Sequence, residues 1–293
     1  MDKQHTRIGI IGVGLMGHGI ASNIQKNGYR IGFVEHPGNQ PVADLLQAGA
    51  EPYQSAAQLA GASDVIIICV TGSPQVEQVI FGEQGVLQGI RPGAVVIDCS
   101  TALAESTLKV YQALHEVGAQ FIDAPMTRTP REAAEGRLNL IVGGDPELYA
   151  SLRPLLSCFA ENITLAGPVG SGHRMKLLHN YVSLGFSAVL AEASVSARRA
   201  GIEDQVFVEV LAKGGGAGVI LDRLAPFIQQ ADDSSFRFSI ANAAKDLSYY
   251  LEMAQHLDAH FGIAQSIRDV YASARDNLPE QTPVPRLIDY LAQ

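Results

Sequence analysis

Apolar positions in the first half of the chain fall in short runs separated by stretches of helical period. The runs at 7–11, 29–34, 65–70, 94–98, 120–124, 138–142 and 162–165 read as strands. Between them, segments such as 104–117 and 146–157 repeat their apolar residues at the spacing of a helix face. Alternating strands and helices predict a mostly parallel sheet with helices on both faces, a doubly wound architecture of the Rossmann type. The pattern changes after GPVGSG at 167–172. Residues 173–200 carry no proline and one continuous helical period, which predicts a helix of roughly 40 Å. Helical stretches follow at 205–212, 219–229, 240–257 and 262–277, and no strand alternation returns. The expectation is an α/β fold with a Rossmann domain at 1–166 and an all-α C-terminal domain at 167–293.

Composition narrows the class. Hydrophobic residues make up 47% and charged residues 17% of 293 positions, which suits a well-buried enzyme and argues against disorder. The net charge of -9 makes nucleic acid and anionic lipid poor partners. The longest strongly apolar run, 65–70, is far short of a membrane span. MDKQHTR has no apolar stretch behind its charges, so no signal peptide is expected. Cys69, Cys99 and Cys158 have no metal-ligand spacing and read as buried reduced thiols, as in a cytoplasmic protein. No metal site is expected.

Three motifs carry candidate chemistry. The first, GVGLMG at 12–17, follows a strand and opens a helix. Gly12 suits a tight turn, Gly14 a close approach of pyrophosphate to the backbone, and Gly17 close helix–strand packing. The alternative is an ordinary glycine-rich turn. Glu35 ends the next strand, where a carboxylate binds the ribose hydroxyls of NAD and repels the phosphate of NADP. No arginine follows it in His36, Pro37 or Gly38. A solvated surface glutamate is the plainer reading.

The second motif is DAPMTRTPREAAEGRL, starting at Asp123. It places the hydroxyls of Thr127 and Thr129 and the guanidinium of Arg128 in a loop beyond a strand end, where ligands of such sheets bind. Arginine there can grip a carboxylate, sulfonate or phosphate with two hydrogen bonds. Equally, Arg128 and Arg131 can be exposed charges balancing Glu132 and Glu135. In the third, GSGHRMKLLHNY, Lys176 and Asn180 stand four apart on one helix face. A desolvated lysine there can exchange a proton near neutrality. The same spacing also occurs on wet helix faces.

Taken together, these motifs resemble the β-hydroxyacid dehydrogenase family over nearly the whole chain. GVGLMGHGIASNIQKNG resembles its cofactor fingerprint, DCST at 98–101 its cofactor- and substrate-touching strand end, and GSGHRMKLLHN its catalytic helix. AKDLSYYLEMA, from Ala244, resembles its C-terminal cofactor-reaching segment. The resemblance implies NAD as cofactor, held by Gly12, Gly14, Leu15, Met16, Gly17, Glu35, Val70, Thr71, Thr101 and Lys245, with Asp246 in support. It implies Lys176 as the proton donor, Asn180 as its substrate-orienting neighbour, and Thr127, Arg128 and Thr129 as the substrate loop. Many members carry Ser-Gly-Gly at 127–129. The Arg-Thr pair here is similar to the sulfolactaldehyde-reducing branch, as is NYVSLGFSAVLAEA, although His179 replaces an asparagine of that branch. The implied reaction is hydride transfer between NAD and a small anionic hydroxy acid or aldehyde. An imine reductase of related architecture and a non-catalytic NAD-binding sensor are the competing readings. A decarboxylating 6-phosphogluconate dehydrogenase would need a longer helical domain. The long helix at 173–200 is apolar over much of its circumference, so a homodimer or homotetramer is expected.

Overall fold

The computed structural model describes residues 2–293, in two compact units, Met1–Lys176 and Leu177–Gln293. In the first unit the chain runs β1 (Arg7–Ile11), α1 (Gly17–Lys26), β2 (Arg30–Val34), α2 (Ala43–Gln47), β3 (Glu51–Tyr53), α3 (Ala56–Ala62), β4 (Val65–Ile68) and α4 (Ser73–Phe81). It continues through β5 (Val95–Asp98), α5 (Ala104–Glu116), β6 (Gln120–Asp123), β7 (Met126–Thr127), α6 (Pro130–Ala134), β8 (Leu138–Gly143), α7 (Pro146–Leu156) and β9 (Ala160–Gly167). The described strands form one sheet in the order β3-β2-β1-β4-β5-β6-β8-β7, with β9 on β8. Pairing is parallel except where β8 meets β6 and β7. The order reverses between β1 and β4, the switch point at which such sheets bind ligands beyond their strand ends.

Both faces of the sheet are apolar because both are covered. Along β4, Val65 and Ile67 join one core layer while Ile66 and Ile68 join the other. Val95 and Ile97 of β5 likewise oppose Val96. Each such side chain contributes about 1.5–3 kcal/mol on burial, so the central strands are the most strongly specified part of the fold. Two strands escape the sequence pattern. β3 is three residues with Pro52 inside, tolerable only on an edge, and β7 is two residues, too short to show alternation.

Helix α8 (Ser171–Arg199) spans 29 residues. The second unit continues with α9 (Asp204–Ala212), α10 (Val219–Gln230), α11 (Ile240–His256), α12 (Gly262–Asn277) and α13 (Leu287–Leu291). Its core gathers Leu184, Ala191 and Val195 of α8 around Leu224, Phe227, Leu247 and Tyr271. The sheet unit extends to Lys176 because the first turn of α8 is tied into it by Asp123. Among the described residues no helix is long and apolar enough to cross a membrane, and no group of three His, Cys, Asp or Glu could hold a metal.

Candidate active site

The glycine loop sits at the switch point. Gly12 has φ +94°, and a Cβ on it would lie 2.2 Å from the Cys69 carbonyl oxygen. A Cβ on Gly17 would lie 1.9 Å from the Gly12 carbonyl oxygen. These two glycines are demanded by the protein's own backbone. Gly14 differs: the nearest atom to its Cβ position is the Gly38 carbonyl oxygen at 4.0 Å. Its face is open, and Met16, preceding α1, makes no side-chain cap. An open backbone at an uncapped helix start fits a dinucleotide pyrophosphate. Leu15 is exposed beside it. Asn39 stitches the loop to β2, accepting from Val13 N–H at 3.2 Å and donating to the Val34 carbonyl at 2.9 Å. Glu35 is exposed at the end of β2, and the amide of Gln54, at the end of β3, donates to its carboxylate. Asn39 and Gln54 are functional candidates that the motif alone does not reveal, because they lie outside it.

The exits of β4 and β5 are knotted by Ser100. Its hydroxyl accepts from Val70 N–H at 3.0 Å, and its own N–H donates to Asp98 Oδ1 at 2.9 Å. Leu103 N–H donates to Ser73 Oγ at 2.8 Å, closing the two loops around Thr71 and Thr101. The cysteines are free, and burial pushes the Cys69 thiol up to about 12 and that of Cys99 well above its usual range. Neither is a thiolate nucleophile near neutrality.

Asp98 and Asp123 face each other in register at the ends of β5 and β6, both fully buried. Asp123 accepts from the N–H groups of Gly170 at 2.7 Å and His173 at 2.8 Å, capping the start of α8. Burial raises its pKa above the usual carboxylate range, against the lowering effect of His173 and those N–H donors. His173 is fully buried, with Nδ1 2.7 Å from Thr107 Oγ1 and Nε2 3.2 Å from the Ser100 carbonyl oxygen. Sequence reasoning passed over this cluster. Its signal was an aspartate following two apolar residues at the end of each of two strands, VVID and QFID, since buried carboxylates are rare without partners.

The Thr127, Arg128 and Thr129 side chains are engaged in holding their own loop. Thr127 Oγ1 accepts from Asn139 Nδ2 at 3.1 Å. Thr129 precedes α6 in a capping box with Glu132, its N–H donating at 3.0 Å to that carboxylate. Arg128 adopts φ +84°, a left-handed backbone that favours glycine. Its guanidinium pairs with Glu161 and donates to the Arg137 carbonyl. The surface pairing expected with Glu132 or Glu135 is thus made with Glu161. Glu135 holds Arg131 and Arg137 instead.

In the second unit, Asn180 is buried on α8 and donates from Nδ2 to Asp246 Oδ2 at 2.6 Å. Its Oδ1 lies 3.0 Å from His179 Nδ1. Lys245 Nζ is 3.0 Å from Asp246 Oδ1 and 5.2 Å from the centre of the Tyr249 ring. Asn180, Lys245 and Asp246 therefore form one cluster, while Leu178 and His179 face outward. Lys176, half-buried, is the last residue of the sheet unit.

The fold agrees with what the chain is similar to. A family model described as the NAD binding domain of 6-phosphogluconate dehydrogenase matches residues 7–167. A second, described as NAD-binding of NADP-dependent 3-hydroxyisobutyrate dehydrogenase, matches 170–291. The 3-sulfolactaldehyde reductase of Escherichia coli is 32% identical over 92% of this chain and 90% of its own. The 2-hydroxy-3-oxopropionate reductase of the same organism is 31% identical over 97% of each. A crystal structure of 3-hydroxyisobutyrate dehydrogenase from Salmonella typhimurium superposes with a TM-score of 0.85 at 26% identity, covering 97% of this chain and 99% of that one. The chain belongs to the β-hydroxyacid dehydrogenase family and is an NAD(P)-dependent oxidoreductase with the Rossmann and helical domains of that family.

Proposed function

We propose that this enzyme interconverts a short anionic 3-hydroxy acid and the corresponding aldehyde, with Lys176 as general acid and base. When bound, the nicotinamide supplies or takes up the hydride. Lys176 as an ammonium donates a proton to the carbonyl oxygen in reduction, and as a neutral amine accepts it from the hydroxyl in oxidation. Asn180 orients that oxygen. The observation that carries this reading is the burial of Asn180, one turn beyond Lys176, with its amide fixed by Asp246. A wet helix face would leave that amide in water. Its fixed amide can align a substrate without reorganising, as a near-attack geometry requires.

The loop of Thr127, Arg128 and Thr129 recognises the anionic head group. Arg128 does so by exchanging Glu161 for the substrate. Its pair with Glu161 is partly exposed, so the exchange costs at most about 1 kcal/mol. The relatives named as reductases of sulfolactaldehyde and of 2-hydroxy-3-oxopropionate support a small anion-headed aldehyde, carboxylate or sulfonate. Glu35, with no arginine beside it, favours NAD over NADP, and Lys245 belongs to the cofactor set. The test follows NADH absorbance against hydroxy-carboxylates, hydroxy-sulfonates and their aldehydes, with Lys176→Ala as control. Lys176→Ala should lower kcat by about 10²- to 10⁴-fold while NADH binding and folding persist. A variant that keeps most of its kcat makes Lys176 a structural residue.

A further inference from the structure

The sheet unit buries two carboxylates side by side with a single imidazole, and nothing in the reaction as described uses them. Asp98 Oδ1 accepts from Ser100, but Asp98 Oδ2 has no hydrogen-bond donor among the described residues. His173 Nε2 lies 3.9 Å from Oδ2. His173 Nδ1 lies 3.8 Å from Asp123 Oδ2, so the ring sits within ion-pair reach of both carboxylates.

The hydrogen-bond directions define what the ring holds. The Ser100 carbonyl can only accept, so Nε2 carries a proton and donates to it. Thr107 Oγ1 meets Nδ1 on one side and the Leu103 carbonyl, at 3.0 Å, on the other. His173 therefore clamps the first turn of α8 to the β5 exit and to α5 at once. Ser100 is the hub of that exit, because its hydroxyl also fixes Val70 N–H and Thr101 follows it directly. Lys176 lies three positions beyond His173, on the neighbouring row of the same helix. A displacement of this turn moves Lys176 relative to Val70 and Thr101.

We propose that His173 is a positioning residue, which sets Lys176 in register with the Val70–Thr101 edge of the site through its Nε2–H bond to the Ser100 carbonyl. The inference rests on the reading of Lys176 as the proton donor. It distinguishes the two ring nitrogens. A glutamine at 173 can replace the Nε2–H donor, whereas an asparagine reaches only as far as the Thr107 side.

The experiment compares His173→Gln, His173→Asn and Thr107→Val, the last removing the Nδ1 partner while leaving the ring in place should either replacement of His173 fail to fold. NADH affinity is taken from the fluorescence of NADH itself, stability from thermal melting, and chemistry from single-turnover rates per NADH-binding site. We expect His173→Asn to lower the single-turnover rate by about 10- to 100-fold with NADH affinity within threefold of wild type. His173→Gln should recover to within about fivefold, and Thr107→Val should lose three- to tenfold. In a Lys176→Ala background, His173→Asn should add no further loss, since the group it positions is gone. Equal losses in the Gln and Asn variants overturn the proposal, as does a wild-type rate per site in His173→Asn or Thr107→Val, whatever happens to the melting temperature. Lys176→Ala with near-normal turnover would instead overturn the proton-donor reading, and this one with it.

Discussion

Arg128 is where the proposed substrate loop makes its sharpest demand. The residue stands at φ +84°, at a cost of roughly 1–2 kcal/mol against a right-handed conformation, which glycine would avoid. Its side chain is 25% exposed and that of its partner Glu161 48%, so the pair is worth no more than about 1 kcal/mol. Arg128→Gly therefore loses about as much as it regains, and its stability should stay within about 1 kcal/mol of wild type. Arg128→Ala loses the pair without relieving the backbone and should be the less stable of the two. On substrate, a charge-assisted bidentate contact is worth roughly 2–4 kcal/mol, less about 1 kcal/mol for displacing Glu161. The net of about 1–3 kcal/mol raises KM for an anionic substrate roughly 5- to 150-fold in both variants. Arg128→Lys should recover part of this, keeping the charge without the planar fork. Glu161→Gln removes the competitor and should lower KM, by up to about fivefold. Kinetics on a carboxylate, its sulfonate counterpart and an uncharged analogue decide the matter. If all three respond alike, or if Glu161→Gln raises KM, Arg128 is a loop-fixing residue only and the substrate class must be reopened.

Other outcomes follow from single features of the structure. With Glu35 at the end of β2, kcat/KM for NAD(H) should exceed that for NADP(H) at least tenfold, about 1.4 kcal/mol, and Glu35→Ala should narrow the gap; equal use of NADP(H) by the wild type would refute the assignment. Burial raises the folded-state pKa of Asp123, so the stability linked to its proton is full below the ordinary carboxylate pKa and lost as pH rises through the raised value. Asp123→Asn should therefore cost more stability at pH 4 than at pH 7 in urea unfolding, and an equal cost at both would contradict the buried-charge account. Val182 and Val189 of α8 are 68% and 60% exposed, and α9 buries none of its residues in the single chain. Sedimentation should show a dimer or tetramer that Val189→Asp weakens, and a stable wild-type monomer at micromolar concentration would refute this.

What was legible in the sequence follows from which physical signals are local. The central strands announced themselves because burial on both faces forces unbroken apolar runs, and β1 falls at the predicted bounds for that reason, while α12 does so through the helical spacing of its one buried face. Among the glycines of the loop, Gly17 is fixed by the Gly12 carbonyl five residues away, whereas the Cys69 carbonyl that fixes Gly12 is delivered by the end of β4. Arg128 shows the limit of such reading. Its residue type suggested a ligand contact, but its partner, Glu161, is 33 positions on and is brought near only by the pairing of β7, β8 and β9. His173 was invisible for the same reason: its partners lie at 100, 107 and 123, and no periodicity connects them. A helix beginning GSGH looks like an ordinary helix start until two strand ends deliver their carboxylates to it. Candidate reacting groups were therefore easier to name than the residues proposed to hold them in place. A motif preserves the reacting group's own sequence neighbourhood, whereas its supports are assembled by the sheet from segments tens of residues apart.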